Sequence, residues 1–254
     1  MGYRAAIFDL DGTILDTVED LRLAMNYAME KTGHRHDYTA DDAKLFFGSG
    51  PREAIKRALT LEAGWGYDCL LDIGTEKERI PESVTTEEVL RIFEIYSPFY
   101  NAHNEDHTGP YPGVIELLAR LKDAGITLAV VSNKPDVDTQ KLINKMFPGC
   151  FDLIGGQREG IRRKPFPDMT DHAIEELGVE RSETVYIGDS EIDFQTAVNS
   201  GLDCISVTWG FRSEEYVNSL GAKYVAATPE EVYGIICGEQ EDIQTYDKTC
   251  SCKR

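Results

Sequence analysis

The sequence predicts an α/β fold in which a doubly wound, Rossmann-like parallel sheet carries an inserted α-helical domain. Short apolar runs rich in valine and isoleucine alternate with helical segments, the pattern of a parallel sheet covered on both faces. This alternation stops between residues 17 and 110, where helical segments follow one another without a convincing buried strand. With 254 residues, of which 41% are hydrophobic, the chain is long enough to bury such a core.

The predicted strands are continuous apolar runs, as expected for strands buried on both faces of a sheet. They are AAIF from Ala5, ITLAVVS from Ile126, FDLIGG from Phe151, TVYIGD from Thr184, DCISVTW from Asp203 and KYVAA from Lys223. Four helices are predicted among them, over residues 113–124, 167–177, 191–200 and 229–237, and each stops before a glycine.

The domain boundaries follow from these patterns. We predict a core domain of residues 1–16 and 111–238, a helical insertion of residues 17–110, and a polar tail of residues 239–254 that adds nothing to the core. The first inserted helix is predicted to have Thr17 as its N-cap and Asp20 three residues later, in a variant of the capping box. The second begins with Pro51, and the third, over residues 85–100, has a threonine cap.

The composition argues against several classes of partner. With 45 acidic and 26 basic residues, the formal net charge of −19 would repel nucleic acids and anionic membranes. No apolar run approaches the roughly 18 residues of a membrane span, and the first strand leaves no room for a secretory signal. Six scattered cysteines do not form a disulfide or zinc pattern. We therefore expect a cytoplasmic protein, a monomer or homodimer, with reduced thiols.

Charged and polar residues gather where the predicted strands end. Ligands of doubly wound sheets bind beyond the carboxyl ends of the strands, so these residues are the candidate site. They are Asp9 and Asp11 after the first strand, Ser132 and Asn133 after the second, Lys164 in the loop after the third, and Asp189 and Asp193 after the fourth. The set combines acidic groups, a hydroxyl, an amide and an ammonium.

Two carboxylates so close together, at the end of a buried strand, require a cation or a reaction that uses them. Mg²⁺ prefers carboxylate and carbonyl oxygens, and its binding by Asp9 and Asp189 would admit a phosphate to an acidic pocket. Asp9 could then attack phosphorus to form an aspartyl-phosphate, while Asp11 could act as general acid and then as general base. Ser132 and Lys164 could bind phosphoryl oxygens.

Three residues are predicted to bind substrate. Gly12 permits a tight backbone turn beside the phosphate. Asn133 offers its amide at the end of the second strand, and Arg52, in the loop GSGPR, has the planar fork that binds a carboxylate. An exposed arginine on the first turn of a helix is the alternative interpretation of Arg52.

The segments DLDGTILDT, VVSNK, RRKPFPD and GDSEIDFQTA resemble, in order and spacing, the four motifs of the haloacid dehalogenase superfamily. This resemblance implies that Asp9 is the nucleophile and Asp11 the general acid and base. It also implies that Mg²⁺ is held by Asp9, the backbone carbonyl of Asp11 and Asp189, with Asp193 as a further carboxylate near the metal. The insertion resembles a C1 cap, and Asp11 argues against a dehalogenase.

Within the superfamily, LFFGSGPREAIKRAL, YPGV, SNKP and VTWGFRSEEYVNSLGAKYVAATPEEV resemble the phosphoglycolate phosphatase group. This resemblance implies a phosphatase acting on a small phosphorylated metabolite, with 2-phosphoglycolate as the leading substrate. Pyrophosphate hydrolysis, β-phosphoglucomutase-type transfer and a non-catalytic ligand-binding scaffold remain the alternatives.

Overall fold

A computed structural model describes residues 2–238; the predicted polar tail lies outside this range. The strands, in chain order, are β1 (Ala5–Phe8), β2 (Leu15–Asp16), β3 (Gly109–Pro110), β4 (Thr127–Pro135), β5 (Leu153–Gln157), β6 (Thr184–Gly188), β7 (Asp203–Val207) and β8 (Tyr224–Ala226). Six of them form a parallel sheet in the order β5-β4-β1-β6-β7-β8. The predicted fold class is confirmed, and these six strands are the six that the sequence predicts.

The first strand lies at the centre of the sheet. Ala5 pairs with Thr127 of β4 on one side and with Thr184 of β6 on the other. The connections from β1 to its two neighbouring strands therefore run in opposite directions. A crevice opens between them, beyond the carboxyl end of β1. The residues that follow β1, β4 and β6 meet at this crevice.

The helices that cover the sheet are α5 (Val114–Asp123), α6 (Asp136–Met146), α7 (Asp168–Leu177), α8 (Glu191–Asn199) and α10 (Pro229–Cys237). A short helix, α9 (Glu214–Ser219), precedes the last strand. Successive residues of β1 face opposite sides, so Phe8 packs in one apolar cluster with Leu118 and Ile7 in another with Met169. Within residues 2–238, no helix has the length and hydropathy needed to cross a membrane.

Residues 17–110, which we call the cap, contain α1 (Val18–Thr32), α2 (Ala40–Phe46), α3 (Pro51–Glu62) and α4 (Thr86–His103). Their apolar faces pack around a separate cluster that includes Met25, Ile55 and Ile92, and Phe211 from the loop after β7 joins it. The chain enters and leaves the cap through β2 and β3, which pair antiparallel. The cap is thus connected to the sheet beside the end of β1.

The capping box predicted for α1 is wrong. Thr17 precedes the helix but its side chain makes no capping hydrogen bond. The Asp20 carboxylate instead accepts hydrogen bonds from the backbone N–H groups of His107 and Thr108 and from the Thr108 hydroxyl. These long-range bonds tie the first helix of the cap to its last residues, a use of Asp20 that local spacing does not reveal.

Candidate active site

Asp9 and Asp11 follow β1 directly, at the crevice. The Asp9 backbone N–H donates to the carbonyl of Ile187 in β6, so sheet pairing continues up to the residue whose side chain enters the site. Asp9 is buried, whereas Asp11 is partly exposed. Gly12 follows with a φ of 91°, and a Cβ there would lie 2.5 Å from the Asp189 carboxylate. Glycine is therefore required both for the turn and for the close approach of Asp189.

Lys164 connects two carboxylates in the interior of the site. Its Nζ lies 2.6 Å from Asp9 Oδ1 and 2.8 Å from Asp193 Oδ1, and it donates to the hydroxyl of Tyr186 at 3.0 Å. Burial disfavours the ammonium, but the neighbouring Asp193 and Asp9 carboxylates outweigh burial and raise the pKa of Lys164 well above its ordinary value. Lys164 is therefore a fixed positive charge beside the predicted nucleophile.

Asp9, Asp189 and Asp193 form a buried cluster in which one carboxylate oxygen from each lies within 4.8 Å of the others. Burial and then the charge of Asp193 raise the pKa of Asp9 well above its ordinary value and that of Asp189 to about 7. Lys164 neutralises only part of this charge. A divalent cation would offset the remainder, and the oxygen-only donor set fits Mg²⁺.

The carboxylates of the cluster differ in their other contacts. Asp189 accepts hydrogen bonds from the Thr13 hydroxyl at 2.9 Å and from the backbone N–H of Phe211 at 2.7 Å. Asp193 directs one oxygen to Lys164 and the other to the hydroxyl and N–H of Ser190, at 2.6 and 3.2 Å. Both Asp193 oxygens thus have protein partners, and its contact with a metal stays a prediction.

The two polar residues near the end of β4 have different contacts. Ser132 is buried, lines the cavity between the cap and the sheet, and accepts a hydrogen bond from the backbone N–H of Lys134. Asn133 accepts from the Lys164 N–H at 2.9 Å and donates to the carbonyls of Lys164 at 3.2 Å and Gly48 at 3.4 Å. Asn133 therefore fixes the Lys164 loop against the cap, and its contact with substrate stays a prediction.

Lys134 is a site residue that sequence reasoning missed. Its buried Nζ lies 3.1 Å from Asp11 Oδ1 and donates to the Tyr100 hydroxyl of α4 at 2.6 Å. The alternation of side chains along a strand could have revealed Lys134, because a residue two positions after Ser132 points to the same side of β4. Lys134 thus connects Asp11, the predicted general acid, to Tyr100 of the cap.

The cavity above these residues is small, with a volume of about 90 Å³. Asp9, Asp11 and Ser132 line its polar end, while Phe93 and Tyr96 of α4 contribute to its apolar wall. The exposed Arg52 places its guanidinium 5.0 Å from the centre of the Phe93 ring and is not among the lining residues. A direct contact between Arg52 and substrate therefore stays a prediction.

Arg212 is a second residue that the sequence did not single out. It is buried in the loop after β7, pairs with Glu191, and donates to the cap backbone carbonyls of Lys44 and of Phe47, the latter at 3.1 Å. The signal for such a role is weak, since arginine in a loop is usually solvated. Arg212 holds the cap against the sheet beside the site.

The structure brings together most of the residues predicted from the sequence. Those gathered at the crevice are Asp9, Asp11, Gly12, Ser132, Asn133, Lys164, Asp189 and Asp193, whereas Arg52 stacks on the Phe93 ring and does not line the cavity. The arrangement combines a buried carboxylate that could act as nucleophile, a second carboxylate that could transfer a proton, an ammonium, a hydroxyl and an oxygen-donor cluster that could hold a divalent cation.

Known proteins share both the sequence pattern and the fold. The family model of haloacid dehalogenase-like hydrolases matches residues 6–207. The phosphoglycolate phosphatase of Agrobacterium fabrum is 32% identical over 207 residues, which make up 81% of this chain and 81% of that protein. That of Neisseria meningitidis serogroup A is 31% identical over 209 residues, 82% of this chain and 81% of that protein.

A crystal structure from Lactobacillus delbrueckii subsp. bulgaricus, of a protein provisionally assigned as a phosphoglycolate phosphatase, is also similar. It is 52% identical, with a TM-score of 0.92, over 93% of this chain and 99% of that chain. These similarities confirm the superfamily and the phosphatase class predicted from the four motifs. The chain belongs to the haloacid dehalogenase-like hydrolases.

Proposed function

We propose that this protein is a Mg²⁺-dependent phosphatase that hydrolyses a small phosphate monoester, with 2-phosphoglycolate as the leading substrate, through an aspartyl-phosphate. The observation that carries the proposal is the position of Asp9, which lines the cavity, contacts Lys164 and belongs to the buried carboxylate cluster. A nucleophile, a fixed positive charge and candidate metal ligands thus adjoin one small cavity.

The first chemical step uses Asp9 and Asp11. A carboxylate oxygen of Asp9 attacks phosphorus, a bond forms between that oxygen and phosphorus, and the bond from phosphorus to the leaving oxygen breaks. Asp11, protonated at this stage, gives its proton to the leaving oxygen, so the alcohol departs neutral at that atom. Mg²⁺, held by Asp9, the Asp11 carbonyl and Asp189, would supply charge neutralisation between phosphate and carboxylates.

The second step regenerates the enzyme. Asp11, now ionised, removes a proton from a water molecule, whose oxygen attacks phosphorus as the bond to Asp9 breaks. Inorganic phosphate is released and Asp11 again carries a proton. In both steps the Ser132 hydroxyl and the Lys164 ammonium would bind phosphoryl oxygens, and the cap over the cavity would exclude bulk water.

The size of the cavity and the names of the relatives support a small substrate. A cavity of about 90 Å³ beneath the cap is suited to a small ligand. The two curated relatives described above are phosphoglycolate phosphatases, and the chain matches most of their length. 2-Phosphoglycolate, a phosphate ester of a two-carbon acid, agrees with both observations.

The test is phosphate release from 2-phosphoglycolate, pyrophosphate, hexose phosphates and a phosphopeptide, with Mg²⁺ and with a chelator. We expect metal-dependent turnover of 2-phosphoglycolate that falls by at least about 10³-fold in Asp9→Asn. Asp123→Asn, on the exposed face of α5, is the matched control and should retain full activity. Preference for pyrophosphate or a hexose phosphate would replace the substrate, whereas no release from any compound would favour a ligand-binding scaffold.

A further inference from the structure

Lys134 lies where the cap meets the predicted general acid. Its ammonium is 3.1 Å from Asp11 in the core and donates to Tyr100 of the cap at 2.6 Å. The Lys134 side chain is almost fully buried and still lines the cavity. The proposed mechanism gives it no role, although a buried charge with access to a cavity is costly to maintain.

The charges around the cavity are unbalanced. Asp9, Asp11 and Asp138 line it with carboxylates. Among the lining residues, all of which belong to the described part of the chain, Lys134 alone has a cationic side chain. A substrate with a second negative charge, away from its phosphate, would be repelled by the ionised carboxylates of Asp9 and Asp138 unless this ammonium held it.

We infer that Lys134, together with the hydroxyl of Tyr100, binds a carboxylate on the leaving group and so selects phosphorylated short-chain hydroxy acids. This inference rests on the proposed function. Because Asp11 donates its proton to the leaving oxygen in that mechanism, a group beside Asp11 meets the leaving group rather than the transferred phosphoryl. Lys134 is therefore a specificity residue of the same cavity.

The donors needed for a carboxylate are present. An ammonium has three N–H groups. Lys134 donates one to the Tyr100 hydroxyl and lies 3.1 Å from Asp11 as an ion pair without a hydrogen bond, which leaves N–H groups for a ligand. Tyr100 accepts from Lys134 and keeps its own hydroxyl proton for donation. A carboxylate between them would receive one charge-assisted and one neutral hydrogen bond.

The test measures binding separately from turnover. The probes are 3-phosphonopropionate, which reproduces the shape and charge of 2-phosphoglycolate with a carbon in place of the ester oxygen, and propylphosphonate, which lacks the carboxylate. Neither has an ester bond to hydrolyse. Calorimetric titration with Mg²⁺ gives the Kd of each probe for the wild-type protein, Lys134→Met, Tyr100→Phe and the control Lys122→Met, an exposed lysine of α5.

We expect the wild-type protein to bind 3-phosphonopropionate at least about 30-fold more tightly than propylphosphonate. Lys134→Met should reduce this preference to below about threefold, and Tyr100→Phe should reduce it by a smaller factor, whereas Lys122→Met should keep it. If Lys134→Met does not fold, Lys134→Gln, which keeps a polar group beside Asp11, replaces it. No preference in the wild type, or an equal preference in a folded Lys134 variant, overturns the inference.

Failure of the inference can be distinguished from failure of the proposed function. If phosphate is released from ethyl phosphate as rapidly as from 2-phosphoglycolate, and the two probes bind equally, the protein is a phosphatase without the carboxylate site. If no phosphomonoester is hydrolysed, but Lys134→Met abolishes a binding preference of the wild-type protein, the proposed phosphatase activity is wrong and the carboxylate site stands.

Discussion

Arg212 contacts Glu191 through two nitrogen–oxygen pairs, at 2.7 and 2.9 Å, at a depth where the arginine side chain is 1% exposed. The same guanidinium donates to carbonyls of the cap. Glu191 belongs to α8, two residues after Asp189, so this ion pair connects the segment beside the candidate metal site with the cap.

Replacing Arg212 by methionine is expected to destabilise the protein and to weaken the closure of the cap. Removing one partner of a buried ion pair costs about 3–5 kcal/mol, because the other charge remains buried without compensation. Thermal unfolding should show a fall in Tm of roughly 6–20 °C, and KM for the small ester should rise as cap closure weakens. Arg4→Met, which breaks a pair at 3.8 Å with both side chains largely exposed, should change Tm by no more than about 2 °C. Equal effects of the two substitutions would contradict this account.

Asp193 is predicted to act through Lys164. Asp193→Asn keeps the capping geometry of α8 but removes the charge that faces the ammonium, so Lys164 should be held less firmly. We expect kcat to fall by about 10–100-fold, with little change in the Mg²⁺ concentration needed for half-maximal activity. Asp189→Asn, as the comparison, should shift that concentration strongly. A larger Mg²⁺ shift in the Asp193 variant would identify Asp193 as a direct ligand.

The metal-free protein should become less stable as the pH rises. The pKa of Asp189 is raised from its ordinary value to about 7 by burial and then by Asp193, so the folded protein retains a proton that the unfolded chain releases. Stability is therefore lost between about pH 4 and pH 7, and the loss is complete above the folded pKa. In a chelator, Tm should fall by on the order of 5–10 °C from pH 5.5 to pH 8.

Added Mg²⁺ should reverse this loss, and more at pH 8 than at pH 5.5, because it binds the ionised carboxylates. The Asp189→Asn variant is the control, since it lacks the titrating group. A Tm of the chelated wild-type protein that rises over this pH range would be the contrary result.

Gly12→Ala should be much more harmful than the same change at a glycine of matched conformation. Gly12 and Gly64 have φ values of 91° and 84°, so alanine meets similar backbone strain at both, about 1 kcal/mol. At Gly12, however, a Cβ would lie 2.5 Å from the Asp189 carboxylate, while nothing lies within 4 Å at Gly64. We expect Gly12→Ala to lose Mg²⁺-dependent activity and stability, and Gly64→Ala to keep the activity.

Much of the fold and the site is predictable from local pattern. The six strands are continuous apolar runs, and the catalytic candidates stand at the strand ends, so the sheet alone brings Asp9, Ser132 and Asp189 together. Asp20 was misassigned because its partners lie 87 and 88 residues away, and hydrogen bonds between such distant residues leave no periodic signal. Arg212 was missed for the same reason, since its role depends on a cap segment that the topology brings near. Lys134 could have been found from the alternation along β4, although its contact with Tyr100 of the cap could not.

The antiparallel pair of β2 and β3 has a consequence for how this chain can vary. Leu15 stands opposite Pro110, so the two ends of the cap lie about 5 Å apart, one strand spacing. Any cap sequence can therefore connect to the sheet, provided that its first and last residues lie at this spacing. Insertions, deletions or exchange of the whole interval leave this span unchanged, and the substrate preference of the enzyme can diverge while the catalytic sheet beneath it stays the same.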